Sequence, residues 1–333
     1  MLVLRRLTTI SKESAMTMSD SGQKINYTLR PAKCVERKIL CELLIKFKTP
    51  IPIHEYRYIG FGSFYFSDFV LFHNQLNIER MISIEKSSNE QRYIFNKPYN
   101  NIEIYFGDSE TVLSTKIDFS NEEIKNVIWL DYDGAFQNGM ISDLFTVSQK
   151  VSKGSFVFIS LNPTIPKDED ESMLPYLKRE AKSYLPRLEE RDVSNETIPS
   201  IIYDIFYAVI QNSLLARNIK EDSPVLATPI FFIRYKDGAP MLTIGYYYTD
   251  SSDLETIQPT LSNIPWVNTD KSPQKLSIPC LTRSEIRELN RMLPGTPIST
   301  IHERMPYLSK ADIEKYISVY KYYPNYLDSP YYV

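Results

Sequence analysis

Between residues 50 and 250 the chain alternates short apolar runs with helical stretches five times, and then breaks that rhythm with two β-rich runs joined at a glycine. The apolar runs are YRYIGFG (56–62), RMISIE (80–85), IEIYFGD (102–108), NVIWLD (126–131) and SFVFISLN (155–162). Strands that alternate with helices return to one sheet through right-handed crossovers, so this order predicts a parallel, doubly wound α/β sheet. The later pair, Thr228–Tyr235 and Met241–Thr249 around Lys236-Asp237-Gly238, predicts an antiparallel hairpin. A long helix is expected just before it at Ile198–Asn218, with Ile201, Ile202, Ile205, Phe206, Val209 and Ile210 on one face. Another is expected at 31–47, where Pro31 suits a first turn and Val35, Ile39, Leu40, Leu43 and Leu44 recur at helical spacing.

With 333 residues, the chain has room for one large core and an appendage. Residues 1–24 read as a disordered or alternative-start extension, with Met16 and Met18 as other starts; 25–250 read as the core. Within that core the acidic, proline-containing stretch 163–197 reads as a lid or as a solvated linker. Residues 251–333 read as a linker and a small C-terminal helical module, with helices over 284–292 and 309–320 capped by Thr282 or Ser284 and by Ser309. Seven tyrosines lie between Tyr316 and Tyr332; they pack that module, offer a surface to a protein partner, or stack bases or aromatic acceptors.

Several function classes lose support. A net charge of −3 gives no whole-chain case for nucleic-acid binding. The basic patch in residues 1–48 holds ten Lys or Arg against four Asp or Glu, and reads as a solvated helix face around Arg30–Lys38. Cys34, Cys41 and Cys280 have no CxxC spacing, and His54, His73 and His302 form no HExxH or H-x-E pattern, so zinc chemistry is disfavoured. No stretch approaches the roughly 20 apolar residues that span a bilayer. A cytoplasmic protein with reduced thiols and no membrane partner is expected.

Two elements suggest a nucleotide-type ligand. Gly60-Phe61-Gly62-Ser63 ends the first strand, where glycine lets a ligand approach the backbone and the next helix offers N–H groups; a tight structural turn needs the same glycines. Glu85 ends the second strand, the place from which a carboxylate accepts hydrogen bonds from both ribose hydroxyls.

Five βα units, a helix and a terminal hairpin resemble the plan of the class I S-adenosylmethionine-dependent methyltransferases, whereas a plain dinucleotide-binding domain ends in parallel strands. The segments RPAKCVERK, YRYIGFGSFYFSDF, SIEK, FNKPY and WLDYDG also resemble bacterial proteins described as O-methyltransferases. The resemblance implies a Rossmann-like sheet of mostly parallel strands ending in an antiparallel hairpin, with S-adenosyl-L-methionine held by Gly60, Gly62, Ser63, Glu85, Asp108, Ser109 and Asp131. Asp108 and Ser109 follow the third strand, where such proteins often place a polar residue facing the adenine amine; Asp108 also suits a helix cap. Asp131 and Asp133 follow the fourth strand, the edge that faces the methionine end and the acceptor, and either serves as general base or holds the cofactor's amino group.

Asn162, at the neighbouring strand end, is a third catalytic candidate where the substrate rim should be, or else a cap or turn residue. It completes a partial likeness to the Asp/Asp-Asn set that holds magnesium in some small-molecule O-methyltransferases, with Leu161 where a second carboxylate would stand. The Asn/Asp-Pro-Pro-aromatic motif of base N-methylation and the Pro-Cys of cytosine methylation are both missing. The expectation is a methyltransferase, O-directed by resemblance, for an acceptor that is a small molecule, protein or nucleic acid. One rival is a degenerate methyltransferase fold serving as a binding or regulatory protein in a complex. Another is a nicotinamide dehydrogenase, against which stand the hairpin and Tyr65 in place of a third glycine.

Overall fold

The structure is a computed structural model and describes residues 30–166, 172–219 and 223–324. Its strands are β1 (Arg57–Gly60), β2 (Arg80–Glu85), β3 (Ile102–Phe106), β4 (Asn126–Ala135), β5 (Ser155–Asn162), β6 (Leu226–Asp237), β7 (Ala239–Thr249) and the short β8 (Gln274–Lys275). They form one sheet in the order β3-β2-β1-β4-β5-β7-β6-β8. The first five are parallel, β7 lies antiparallel to both β5 and β6, and β8 adds a parallel edge. The hairpin therefore closes a parallel sheet, as its turn and β-rich flanks predict.

Helices cover both faces. On one lie α1 (Pro31–Lys46), α2 (Ser67–Leu76) and α3 (Glu90–Asn96); the other carries α5 (Asn138–Lys150), α6 (Met173–Ala181) and α7 (Ile198–Asn218), after the short α4 (Ser109–Thr111) and its π-turn. The period of two along a strand sorts side chains between these layers. In β7, Tyr246 and Tyr248 enter one core and Tyr247 the other, all three buried.

Helix α7 is, by length and composition, long enough and apolar enough to cross a membrane, which corrects the expectation that no stretch approaches that length. Some 61% of that stretch is buried in the protein, so its apolarity has a place in the core against α5 and β6.

Three segments differ from expectation. β4 continues four residues past Asp131, with a register shift between Asp131 and Ala135 that lifts Tyr132, Asp133 and Gly134 out of the regular ladder. The described part of 163–197 packs on the core through Leu174, Tyr176, Leu177 and Val193, with the Tyr176 hydroxyl donating to the Phe136 carbonyl at 2.8 Å. Residues read as a linker after 250 instead form α8 (Ser251–Leu261), which buries Ile257 and Leu261 against the sheet.

The C-terminal module comprises α9 (Arg283–Met292), α10 (Ile298–Arg304) and α11 (Lys310–Val319), around its own core of Leu289, Ile301, Met305, Leu308, Ile313 and Tyr316. Thr282 and Glu285 form a capping box on α9, and Ser309 caps α11. Three of its tyrosines pack and one projects: Tyr316 enters that core, Tyr322 donates to Glu42 of α1 and Tyr323 to the Pro279 carbonyl at 2.9 Å, whereas Tyr307 is exposed. Residues 1–29, including the expected extension, and Tyr326, Tyr331 and Tyr332 lie outside the described residues.

Candidate functional site

A cavity of about 660 Å³ opens at the carboxyl ends of β1 to β4, where the strand order reverses between β1 and β4. Open α/β sheets hold ligands at this point because the loops on either side part in opposite directions. Phe61, Gly62 and Ser63 line it from the β1 end, Glu85 and Lys86 from β2, Gly107, Asp108 and Ser109 from β3, and Asp131 to Gly134 from β4. Gln137, at the N-cap of α5, and Gly139, Met140 and Asp143 within it also line the wall, as do Arg37 of α1, Asp68 of α2 and Tyr93 of α3.

The two glycines at the end of β1 and just beyond it do different work. Gly60 does not line the cavity; a Cβ there would run into the Tyr58 phenol, which crosses over it to donate to Asp68. Its place is a packing requirement inside the sheet, so its expected ligand role is corrected. Gly62 lines the cavity, and a Cβ would meet Phe66 Cδ1 at 2.5 Å and Ser83 Oγ at 2.7 Å. The turn after it holds Ser63 and Phe66 at φ 50° and 45°, so α2 begins only at Ser67 and its N-terminus is set back from Gly62.

Glu85 is 4% exposed, and its Oε1 accepts the Gly62 N–H at 2.7 Å and the Ser83 hydroxyl at 2.5 Å. Burial pushes its carboxyl up to about 8, against those two bonds, which pull the other way. Asp108 is exposed, and both its oxygens are engaged by Thr111, through N–H at 2.9 Å and Oγ1 at 3.1 Å. The backbone bond first, then the hydroxyl, holds its carboxyl below the usual range. Capping is thus its observed role. Ser109 turns its hydroxyl to Asp143, which also accepts from the Tyr132 hydroxyl at 2.5 Å.

Asp131 sits at the inner end of a buried charge network. Lys33 Nζ lies 2.6 Å from Asp131 Oδ1 and 2.8 Å from Glu36 Oε2, and 4.5 Å from the centre of the Trp129 ring. Burial alone would lower the Lys33 ammonium, but Asp131 and Glu36 outweigh it and the group ends raised. Glu36 accepts in turn from the Tyr235 hydroxyl at 2.8 Å and from Thr243. The expectation of a solvated basic face at 30–38 is thereby corrected: Lys33, Glu36 and Arg37 are buried. Their spacing of three and four, in line with Leu40 and Leu44, is the signal that was open to reading.

Asp133 is exposed on the rim of the cavity. Asn162 is not brought to it; it pairs in register with Ala135, and its Oδ1 accepts the Thr164 N–H at 2.9 Å. No group of three or more His, Cys, Asp or Glu is arranged to hold a metal among the described residues. With Asp131 engaged by Lys33 and Asn162 turned to its own loop, the expected magnesium set is not assembled. Arg37, Asp68 and Asp143, none of them anticipated, join the wall instead. They arrive from helices rather than strand ends, where the order of elements offers no fixed position to look.

The chain matches, over residues 25–331, the family described as "Putative O-methyltransferase". Among solved structures it is similar to the Methanococcus jannaschii fibrillarin pre-rRNA processing protein, at 11% identity, over 64% of this chain and 75% of that one, with a TM-score of 0.36. It is also similar to LepI in complex with SAM, at 9% identity, over 62% of this chain and 46% of that one, with a TM-score of 0.34. No curated protein matches it.

Proposed function

This chain belongs to the family so described, and on that premise we propose that it is an S-adenosylmethionine-dependent methyltransferase acting on an oxygen acceptor. The observation that carries the reading is the pairing of Gly62 with the buried Glu85 in the wall of the cavity. Glycine leaves the backbone bare for a ligand, and a carboxylate at the end of β2 is placed for a ribose diol. Arg37, Asp68 and Asp131 bring one cation and two carboxylates into the same cavity, the charges that a methionine carboxylate and ammonium require.

When bound, the cofactor supplies a methyl group on a sulfonium sulfur. Glu85 holds the ribose, Gly62 and Ser63 admit the chain beside it, and Asp131, fixed by Lys33, holds the ammonium. Asp133, on the rim, receives the acceptor's proton; its exposure leaves it within reach of a molecule arriving from solvent. The cavity wall among the described residues includes nothing from 163–197, so the acceptor is met by the β4 bulge and α5.

Isothermal titration with S-adenosylmethionine and S-adenosylhomocysteine tests the cofactor assignment, and no binding to the intact protein would remove it. Cofactor with a radioactive methyl group, offered to separated metabolite, RNA, DNA and protein fractions, tests the reaction. Label on a hydroxyl or carboxyl oxygen supports the assignment; label on nitrogen would overturn the oxygen class.

A further inference from the structure

Asp143 lies on α5, one turn beyond Gly139 and Met140, in the wall of the cavity and 1% exposed. Its Oδ2 takes two hydroxyl donors, Ser109 and Tyr132. Its Oδ1 is enclosed and has no hydrogen-bond partner among the described residues. A buried acceptor left without a donor is costly, and such groups in a ligand cavity call for an occupant that supplies one.

An adenosyl ligand offers three sets of donors. The ribose diol has Glu85, and the methionine ammonium has Asp68 and Asp131 beside Arg37. The exocyclic amine of adenine remains, and an ionised carboxylate, which only accepts, is its complement. Asp108 is the weaker candidate, being exposed with both oxygens engaged by Thr111. Ile84 and Met140 line the same cavity and offer apolar surface to a planar base. As it stands Oδ1 is buried behind the cavity surface, and meeting a ligand requires a turn about Cβ–Cγ, a torsion that is broad in aspartate.

We propose that Asp143, rather than Asp108, accepts the hydrogen bond of the adenine amine, and so makes the site select adenosyl over inosyl ligands. The proposal rests on the cofactor reading above. Hypoxanthine places a carbonyl oxygen where adenine has its amine, and a carboxylate repels it; an asparagine amide can donate to it.

The test is calorimetric titration of the wild type, Asp143→Asn and Asp108→Asn with S-adenosylhomocysteine and S-inosylhomocysteine. The wild type is expected to prefer the adenosyl compound by at least about tenfold, Asp143→Asn to lose about tenfold of that preference, and Asp108→Asn to keep it. Equal binding of both compounds by the wild type, an unchanged ratio in Asp143→Asn, or a collapse of the ratio in Asp108→Asn overturns the proposal. Should Asp143→Asn not fold, the wild type and Asp108→Asn decide: a preference kept in both supports it. If neither compound binds the wild type, the cofactor assignment fails, not the choice between the two aspartates.

Discussion

Replacing Lys33 with methionine removes one cation from two carboxylates while keeping a side chain of similar length. Lys33 is 2.8 Å from Glu36, whose side chain is 0% exposed, and 2.6 Å from Asp131, which keeps 18% exposure. Breaking a buried pair strands the remaining charge at a cost of about 3–5 kcal/mol. Because Asp131 is partly wet, the expected loss for Lys33→Met is near the lower end, about 3 kcal/mol, a large share of a typical total of roughly 5–15 kcal/mol. Urea unfolding at pH 8, followed by circular dichroism, should show a lower midpoint at an unchanged slope.

The pH dependence is a second check on the same variant. An orphaned buried carboxylate binds a proton more readily in the folded state than in the unfolded chain, so the deficit is full at pH 8 and shrinks as pH falls towards 5. A third check is the neutral triple variant Lys33→Met/Glu36→Gln/Asp131→Asn, which should recover more than half of the loss because no unpaired charge remains. A cost under about 1 kcal/mol for Lys33→Met, or a deficit that grows on acidification, would refute the reasoning that this network is buried and mutually compensated.

Glu85→Gln should weaken S-adenosylmethionine binding by at least about tenfold by titration, since an amide accepts less well from a diol than a carboxylate does. In the wild type Glu85 sits at about 8, so a ligand that needs its ionised form binds with proton release below that pH, and affinity falls as pH drops from 8 to 6. Glu85→Gln should lose that dependence. Gly62→Ala forces a methyl group against Phe66 and Ser83 and should lower stability by about 1–3 kcal/mol as well as abolish binding; Gly134→Ala, whose Cβ would meet nothing nearer than Gln137 at 3.9 Å, should leave stability within about 0.5 kcal/mol of wild type, measured by thermal unfolding. Asp133→Asn should reduce methyl transfer about a hundredfold while cofactor affinity stays the same, because the carboxylate stands on the rim.

The order of elements was legible because hydrophobic period is a local property. Five apolar runs separated by helices, followed by the pair around Gly238, already dictate a parallel sheet closed by a hairpin, and the observed order β3-β2-β1-β4-β5-β7-β6 is that sheet. Glu85 and Gly62 were legible for the same reason, since one ends a strand and the other lies in the turn just after one, and strand ends on one side of such a sheet share a cleft. Thr282 and Ser309 as caps needed only their neighbours three residues on.

What the tertiary structure alone decided is which polar groups are buried against which. Gly60 and Gly62 look alike along the chain, yet the Tyr58 ring lies over one and the cavity over the other. Lys33, Glu36 and Arg37 read as a surface run until β4, β6 and β7 bring Asp131, Tyr235 and Thr243 from as far as 207 residues away. Asp143 has no motif around it; its place in the cavity wall shows only once Ser109 and Tyr132, on two other elements, meet one oxygen and leave the second without a donor. Strand and helix follow from patterns of a few residues, whereas a buried charge is stable only where distant segments supply its partner, and that pairing exists only in the folded chain.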